Sequence, residues 1–312
     1  NSGGILMNID FIVINIERLS KAADTFDEYG TYCDYDPSTP AYESFWQRET
    51  SRRKKGVFIK AKLYYKDIPK FFDANTTDEE RESLLQPLRI TGAHYTYLNY
   101  GRIERTPNDK ERAKLKREGA EHVETVMGFP RYWDGDYWNF KIDEFIANNK
   151  FHLTKAKARR KGFSYKRGSQ AANTINLFPN VTVTLAADQL AYLTDKGATT
   201  FMAKKCLDHF EEHTFWKRGY ISEAIDDILM GYRVSTKGLK NFGWLSNLYS
   251  VAIGKNESAA VGKKAIEIDF EEAGKCPNLQ KALDVTLSNT ESGAISVGTI
   301  RVYGTGGTKG AN

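Results

Sequence analysis

One stretch constrains the fold more than any other: Lys157-Ala158-Arg159-Arg160-Lys161-Gly162-Phe163-Ser164, set between a short mixed run and an amphipathic helical pattern. Phe151 to Lys157 reads as a strand, and after Ser164 the residues Gly168, Ala171, Ala172, Ile175 and Phe178 recur at helical intervals. Pro179 and Asn180 end that helix, and Val181 to Ala186 alternates like the next strand. Strand, loop, helix, strand is a βαβ unit with a cation-rich turn at its first corner.

That turn reads as a phosphate-binding loop whose lysine has moved. In the usual spacing, G-x-x-x-x-G-K-[ST], backbone N–H groups cradle phosphates, the lysine reaches the terminal oxygens and the hydroxyl holds Mg²⁺. Here Gly162 and Ser164 keep their places, Phe163 stands where the lysine belongs, and Lys157 occupies the first glycine position. A cation on a flexible four-carbon stem can swing in from the loop entrance, so Lys157 is the candidate phosphate lysine. The plain alternative is a solvated basic run, or a nonspecific nucleic-acid patch.

Composition bounds the class. A chain of 312 residues with 40% hydrophobic content has enough apolar material for one large or two ordinary domains. The net charge of +5 gathers in runs such as Arg52-Arg53-Lys54-Lys55, which permits polyanion partners. Cys33, Cys206 and Cys276 are far apart and lack C-x-x-C spacing, so neither a disulfide framework nor a zinc site is indicated, and a reducing cytoplasm fits. No apolar stretch approaches the roughly 20 residues of a membrane helix. Residues 1–6 precede Met7 and read as a remnant before the natural start, whereas glycine-rich Gly304 to Asn312 reads as an abrupt cut from a longer protein.

Residues 7–128 form an N-terminal extension and residues 129–312 the core. The extension carries two helix starts, a capping box at Thr77-Asp78-Glu79-Glu80 and an N-cap at Asn108 with Glu111. Between them, within His94 to Gly101, Tyr95 and Tyr97 stand at spacing two, the pattern of a half-buried strand, with base stacking as the alternative. Phe129 to Trp138 lies just upstream of the loop strand, which makes its aromatics and Arg131 candidates for adenine contact. The alternative is a turn at Asp134-Gly135. A helix with Ile142, Phe145 and Ile146 on one face is expected next.

Downstream, Ala198, Met202, Cys206 and Phe210 make a buried helical stripe. The same helix carries His209, Glu212 and His213 as H-x-x-E-H, the inverted zinc-protease pattern, though no further ligand stands out. Ser222 to Trp244 reads as a loop-rich insertion and Leu248 to Ile253 as a strand.

Ala265 to Gly274 is an alternating strand that buries Ile266, Ile268 and Phe270 and ends in Glu271-Glu272. At the C-terminal end of a parallel strand, where α/β sheets bind ligands, one carboxylate can hold Mg²⁺ and the next can orient water. Glu271 is assigned to the metal, with Asp269 as the alternative, and Glu272 to the water; a solvated pair opening a helix is the plain reading. Gly304, Thr305 and Gly306 then follow a strand over Gly298 to Tyr303, small enough to approach a γ-phosphate.

In combination these motifs resemble the ATPase domain of tailed-bacteriophage terminase large subunits, with a lambda-type displaced-lysine loop. The resemblance runs from about Leu88 to the end. It implies an α/β P-loop NTPase of the RecA-like (ASCE) type, with a central, mostly parallel sheet flanked by helices. It further implies Lys157 and Arg160 as phosphate cations, and Arg159, Lys161, Gly162, Phe163, Ser164, Tyr165 and Arg131 around ATP. Ser164 and Glu271 would hold Mg²⁺, Glu272 would be catalytic, and Gly304-Thr305-Gly306 would couple hydrolysis to movement. The partners implied are double-stranded DNA, a portal protein, the small terminase subunit and further copies in a ring on the prohead, in the host cytoplasm. Two departures stand out: Glu271 replaces the usual Asp, and the trans-acting arginine has no clear match, leaving Arg218, Arg233, Lys263 or Lys264. The family's C-terminal nuclease domain is expected to be absent. The rivals are a noncatalytic basic nucleic-acid-binding module and another P-loop motor such as a helicase.

Overall fold

The computed structural model describes residues 33–59, 77, 88–158, 162–216, 218–235, 238–262, 264–292, 295–296 and 298–305. In chain order come helix α1 (Pro40–Lys55), strands β1 (Val57–Ile59) and β2 (Leu88–Ile90), helix α2 (Gly92–Tyr100), β3 (Ile103–Arg105), α3 (Asp109–Arg117) and β4 (Val126–Gly128). The core follows with α4 (Asp134–Asn149), β5 (Leu153–Ala156), α5 (Phe163–Leu177), β6 (Thr182–Ala187), α6 (Ala191–Thr194) and α7 (Thr199–His213). Then come β7 (Tyr220–Ala224), β8 (Asp227–Met230), β9 (Tyr232–Ser235), β10 (Leu239–Phe242), β11 (Asn247–Ala252) and β12 (Glu267–Glu271). Helix α8 (Leu279–Thr286), β13 (Glu291–Ser292), β14 (Ile295–Ser296) and β15 (Thr299–Gly304) complete the described chain.

Seven strands make the central sheet in the order β5-β15-β12-β6-β11-β8-β7. The first five run parallel, β8 runs opposite to them, and β7 pairs antiparallel with β8. Strand β6 is buried almost throughout because it is covered on both faces, as parallel sheets require. Its Val183 and Leu185 meet α5 and α7 side chains such as Ile175, Cys206 and Leu207. The opposite face is closed by Ala260 and α8, through Ile268, Phe270, Ala282 and Ile300. This is the expected α/β class with a mostly parallel sheet between helices. The strands on either side of α5 are not neighbours, however: β15 and β12 lie between β5 and β6. Local patterning predicts a crossover but not how many strands it skips.

Several local expectations change. The tyrosine-rich stretch is helix α2, capped by Thr91, whose Oγ1 accepts from the His94 N–H at 3.1 Å. Nearly every α2 residue is buried, so no polar face marks a helical period, and tyrosines at spacing two mimic a strand. In α4, Ile142 and Phe145 are exposed, while Tyr137, Phe140, Asp143 and Ile146 face inward. Asp134-Gly135 opens that helix instead of making a turn. The supposed loop-rich insertion holds four short strands, two of which extend the sheet. The Asn108–Glu111 capping box is present, whereas residues 78–80 of the other lie outside the described residues.

Part of the basic run in α1 is structural. Arg53 is buried and donates to the side-chain oxygens of Asn173 and Asn176 on α5, each at 2.9 Å. Its guanidinium also stacks 3.9 Å from the Trp216 ring centroid. Helix α1 is thereby docked on α5.

Candidate active site

The loop begins where β5 ends. Lys157 N–H donates to the Gly304 carbonyl at 2.9 Å, carrying the β5–β15 pairing one residue into the loop. Arg159, Arg160 and Lys161 lie outside the described residues. The chain re-enters at Gly162 with φ 65° and ψ 24°, a left-handed conformation that glycine adopts without a Cβ penalty, and this residue caps α5. An α-helix N-terminus offers unpaired N–H groups and positive potential, the local physics of anion binding. Ser164, in the first turn, donates from Oγ to Glu271 Oε1 at 2.7 Å.

Strand β12 divides its side chains by face. Ile268 and Phe270 enter the apolar layer, while Glu267, Asp269 and Glu271 share the other face; Ile266 falls just outside the strand. Carboxylates buried this deeply need partners. Arg167 on α5 is ion-paired to both Glu267 and Asp269. Arg301, the register partner of Asp269 on β15, lies 3.4 Å from Glu267 and 3.6 Å from Asp269. Burial raises the Glu267 carboxyl, but Arg167 and Arg301 outweigh it and hold it at about 2. Asp269, the alternative metal carboxylate, is thus ion-paired to two arginines, while its Oδ1 accepts no hydrogen bond among the described residues.

Glu271, one step further along the face, escapes the arginines. It is only 2% exposed, and burial pushes its carboxyl upward against Lys157 and two hydroxyls. Those hydroxyls are Ser164 on Oε1 and Thr199 on Oε2. Lys157 Nζ lies 3.7 Å from Glu271 and 3.0 Å from Glu272. Burial raises the Glu272 carboxyl, yet the Lys157 hydrogen bond and charge, with Lys275, hold it below its usual range. Glu272 sits in the left-handed region at φ 52° and ψ 38°, costly for a residue with a Cβ and a recurrent feature of functional turns. Glu272 does cap a short 3-10 turn over Ala273–Lys275, but Glu271 is buried, so the pair is not simply solvated.

Phe163 and Tyr303 pack with ring centroids 4.8 Å apart. Lys157 Nζ lies 5.6 Å from the first centroid and 5.4 Å from the second, within cation–π range. Phe163 is thus part of an aromatic shelf under Lys157. Beside it, Gly304 presses on the turn after Glu272: a Cβ there would sit 2.7 Å from the Ala273 nitrogen. Thr305 follows, half-buried, and Gly306 lies outside the described residues.

The remaining candidates are scattered. Tyr165 lies next to the cap, since a Cβ on Gly162 would be 3.7 Å from its ring. Arg131 is exposed beyond β4. Of the aromatics around it, Phe129, Tyr132 and Tyr137 are buried in packing and only Trp133 is well exposed. Arg218 stacks 3.8 Å over Trp244, whose indole donates to Ile175 O near the far end of α5. Arg233 on β9 and Lys264 before β12 also lie toward the N-terminal edge of the parallel strands, away from the loop; Lys263 lies outside the described residues. His209 is buried with its ring 5.5 Å from Phe129, and Glu212 is exposed beside His213. Among the described residues, no three His, Cys, Asp or Glu side chains gather as metal ligands.

Thr199, Tyr303, Arg167 and Arg301 join the site without any motif announcing them. A signal existed only for the arginines, because three carboxylates on one face of a buried strand demand cations.

No family model and no curated protein matches this chain. Among solved structures, it is similar to the Thermus phage P74-26 large terminase ATPase domain, at 14% identity and TM-score 0.36 over 50% of this chain and 59% of that one. It is also similar to the HK97 bacteriophage large terminase, at 12% identity and TM-score 0.38 over 59% of this chain and 35% of that one. A thermophilic bacteriophage large terminase in complex with ADP matches at 10% identity and TM-score 0.35, over 51% of this chain and 34% of that one. Likeness at this level is slight, and the chemistry follows from the site's own residues.

Proposed function

We propose that this chain is a Mg²⁺-dependent ATP hydrolase of the P-loop kind, working as the ATPase module of a viral DNA-packaging terminase. One observation carries the hydrolase reading: Ser164, at the start of the post-loop helix, is bonded to Glu271, while Lys157 reaches the same carboxylate pair. A hydroxyl and a carboxylate facing each other at 2.7 Å are both hard oxygen donors, the set that suits Mg²⁺ completed by phosphates and water. Ser164 and Glu271 would hold the ion, which when bound offsets charge on the phosphate oxygens.

Within this reading the chain's own residues have distinct tasks. The N–H groups of the loop and the first turn of α5 bind phosphate oxygens. Lys157 leaves Glu272 for the phosphates, which frees Glu272 to orient a water for in-line attack and accept its proton. The lysine and loop Arg160 then offset transition-state charge.

The test is calorimetric binding of a nonhydrolysable ATP analogue with Mg²⁺, on the wild-type protein and on Lys157→Ala. Binding lost on substitution is the expected result, and unchanged binding would remove the displaced-lysine assignment. Glu272→Gln is expected to keep binding while hydrolysis falls about 10²- to 10⁴-fold, the usual range for a lost general base.

The DNA-packaging role rests on motif resemblance. It brings double-stranded DNA, a portal protein, the small terminase subunit and a homo-oligomeric ring on the prohead in the host cytoplasm as partners. DNA binding that ignores Mg·ATP and changes at Glu271 or Glu272 would favour a basic binding module. Strand separation without a portal would favour a helicase.

A further inference from the structure

We infer that Thr199 is a positioning residue for the divalent cation, anchoring Glu271 Oε2 so that Oε1 stays turned toward Ser164 and Lys157. This rests on the ATPase reading above and adds a residue to it.

Thr199 is fully buried at the first position of α7, and its Oγ1 is bonded to Glu271 Oε2. The two oxygens of this carboxylate are thus divided. Oε1 receives Ser164 at 2.7 Å and faces Lys157 at 3.7 Å, while Oε2 is held by the threonine alone among the bonds described. The terminal torsion of a glutamate is broad, so one hydroxyl leaves the carboxylate plane free to turn. A second hydroxyl from another element fixes it. Without that hydroxyl, Oε2 loses the donor that holds it, which favours a rotated carboxylate.

The placement depends on a contact with no other chemistry. A Cβ at Gly168 would lie 2.6 Å from the Thr199 carbonyl oxygen and 2.8 Å from the Ala203 nitrogen. Only a residue without a Cβ lets the start of α7 come so close to α5. Gly168 and Ser164 are four residues apart on α5, hence on one face. One helix face therefore supplies the first hydroxyl and the seat for the element that supplies the second. The positive N-terminal end of α7 further favours an anionic carboxylate at that spot.

The experiment measures affinity for a nonhydrolysable ATP analogue by calorimetry, with Mg²⁺ and with EDTA, on wild type, Thr199→Val, Thr199→Ser and Thr199→Ala. In wild type, Mg²⁺ is expected to tighten binding. Thr199→Val, which keeps the shape and removes the hydroxyl, is expected to lose about tenfold or more of that gain, in line with a lost bond to a charged group. Its affinity in EDTA should stay as in wild type, which a general packing defect would not allow. Thr199→Ser should restore the gain and Thr199→Ala should not; this pair differs by a single hydroxyl and decides the matter if the valine variant does not fold. A Mg²⁺ gain that survives equally in the valine and alanine variants overturns the inference. Wild-type protein that binds no analogue under either condition overturns the ATPase reading itself, a different result.

Discussion

At the scale of single residues, the arrangement turns on where polar atoms are left when water is removed. His94 is fully buried between the Tyr132 and Phe140 rings, at centroid distances of 5.3 and 4.9 Å, and burial followed by the nearby Lys166 charge pushes its imidazole down to about 3. The unfolded chain protonates this histidine near its ordinary value of 6.5. Between those values the unfolded state holds the extra proton, so stability falls as pH drops through this window, by up to about 1.4 kcal/mol per pH unit. Glu267 adds to the acid loss, but only lower down, between its ordinary value of 4.5 and its folded value of about 2. Denaturant melts of His94→Phe at pH 7 and pH 5 should therefore show a flatter pH dependence than wild type. An equal slope in both proteins would place the acid sensitivity elsewhere.

At the scale of elements, β12 is held to α5 and β15 by charge as much as by apolar packing. Asp143, Glu267 and Asp269 face Lys155, Arg167 and Arg301 in a buried, balanced set between β5, β12, β15 and the helices α4 and α5. Such a set resists the loss of one member more than its net contribution to stability implies, because the remaining partner becomes an uncompensated buried charge. Arg167→Leu should cost about 3–5 kcal/mol in urea denaturation, and Arg167→Leu with Asp269→Leu less than the sum of the two single changes. Additive losses would mean that the two groups do not interact. The candidate site draws on the same elements: Glu271 lies on the face that the arginines line.

At the scale of the molecule, the N-terminal extension and the core share one hydrophobic cluster, in which Trp46 and Tyr100 meet Ile175, Phe210 and Trp216. Arg53 is the polar part of that junction. Its hydrogen bonds to Asn173 and Asn176 and its stack on Trp216 lead us to expect roughly 2–4 kcal/mol of destabilisation in Arg53→Ala. Tryptophan fluorescence and far-ultraviolet circular dichroism should lose structure in a single coincident transition. Separate transitions would show that the extension folds as its own unit.

The sequence by itself determined the local grammar. The strand, loop and helix around Lys157, the buried stripe of α7, the Asn108 cap and the end of β12 in two carboxylates all follow from periodicity and capping, which are properties of neighbours in the chain. It also marked Ser164 and Glu271, each through its own local motif, and the structure shows the two side chains bonded. What only the tertiary structure decided concerns distances across the chain. Helix α2 was illegible because full burial removes the polar face that marks a helical period. Asp269 and Glu271 look alike along the strand, and the arginines claim the first only because α5 and β15 lie against that face. Thr199 reaches Glu271 across 72 residues of sequence through the gap left at Gly168, a contact set by the packing of two helices and written in no local pattern.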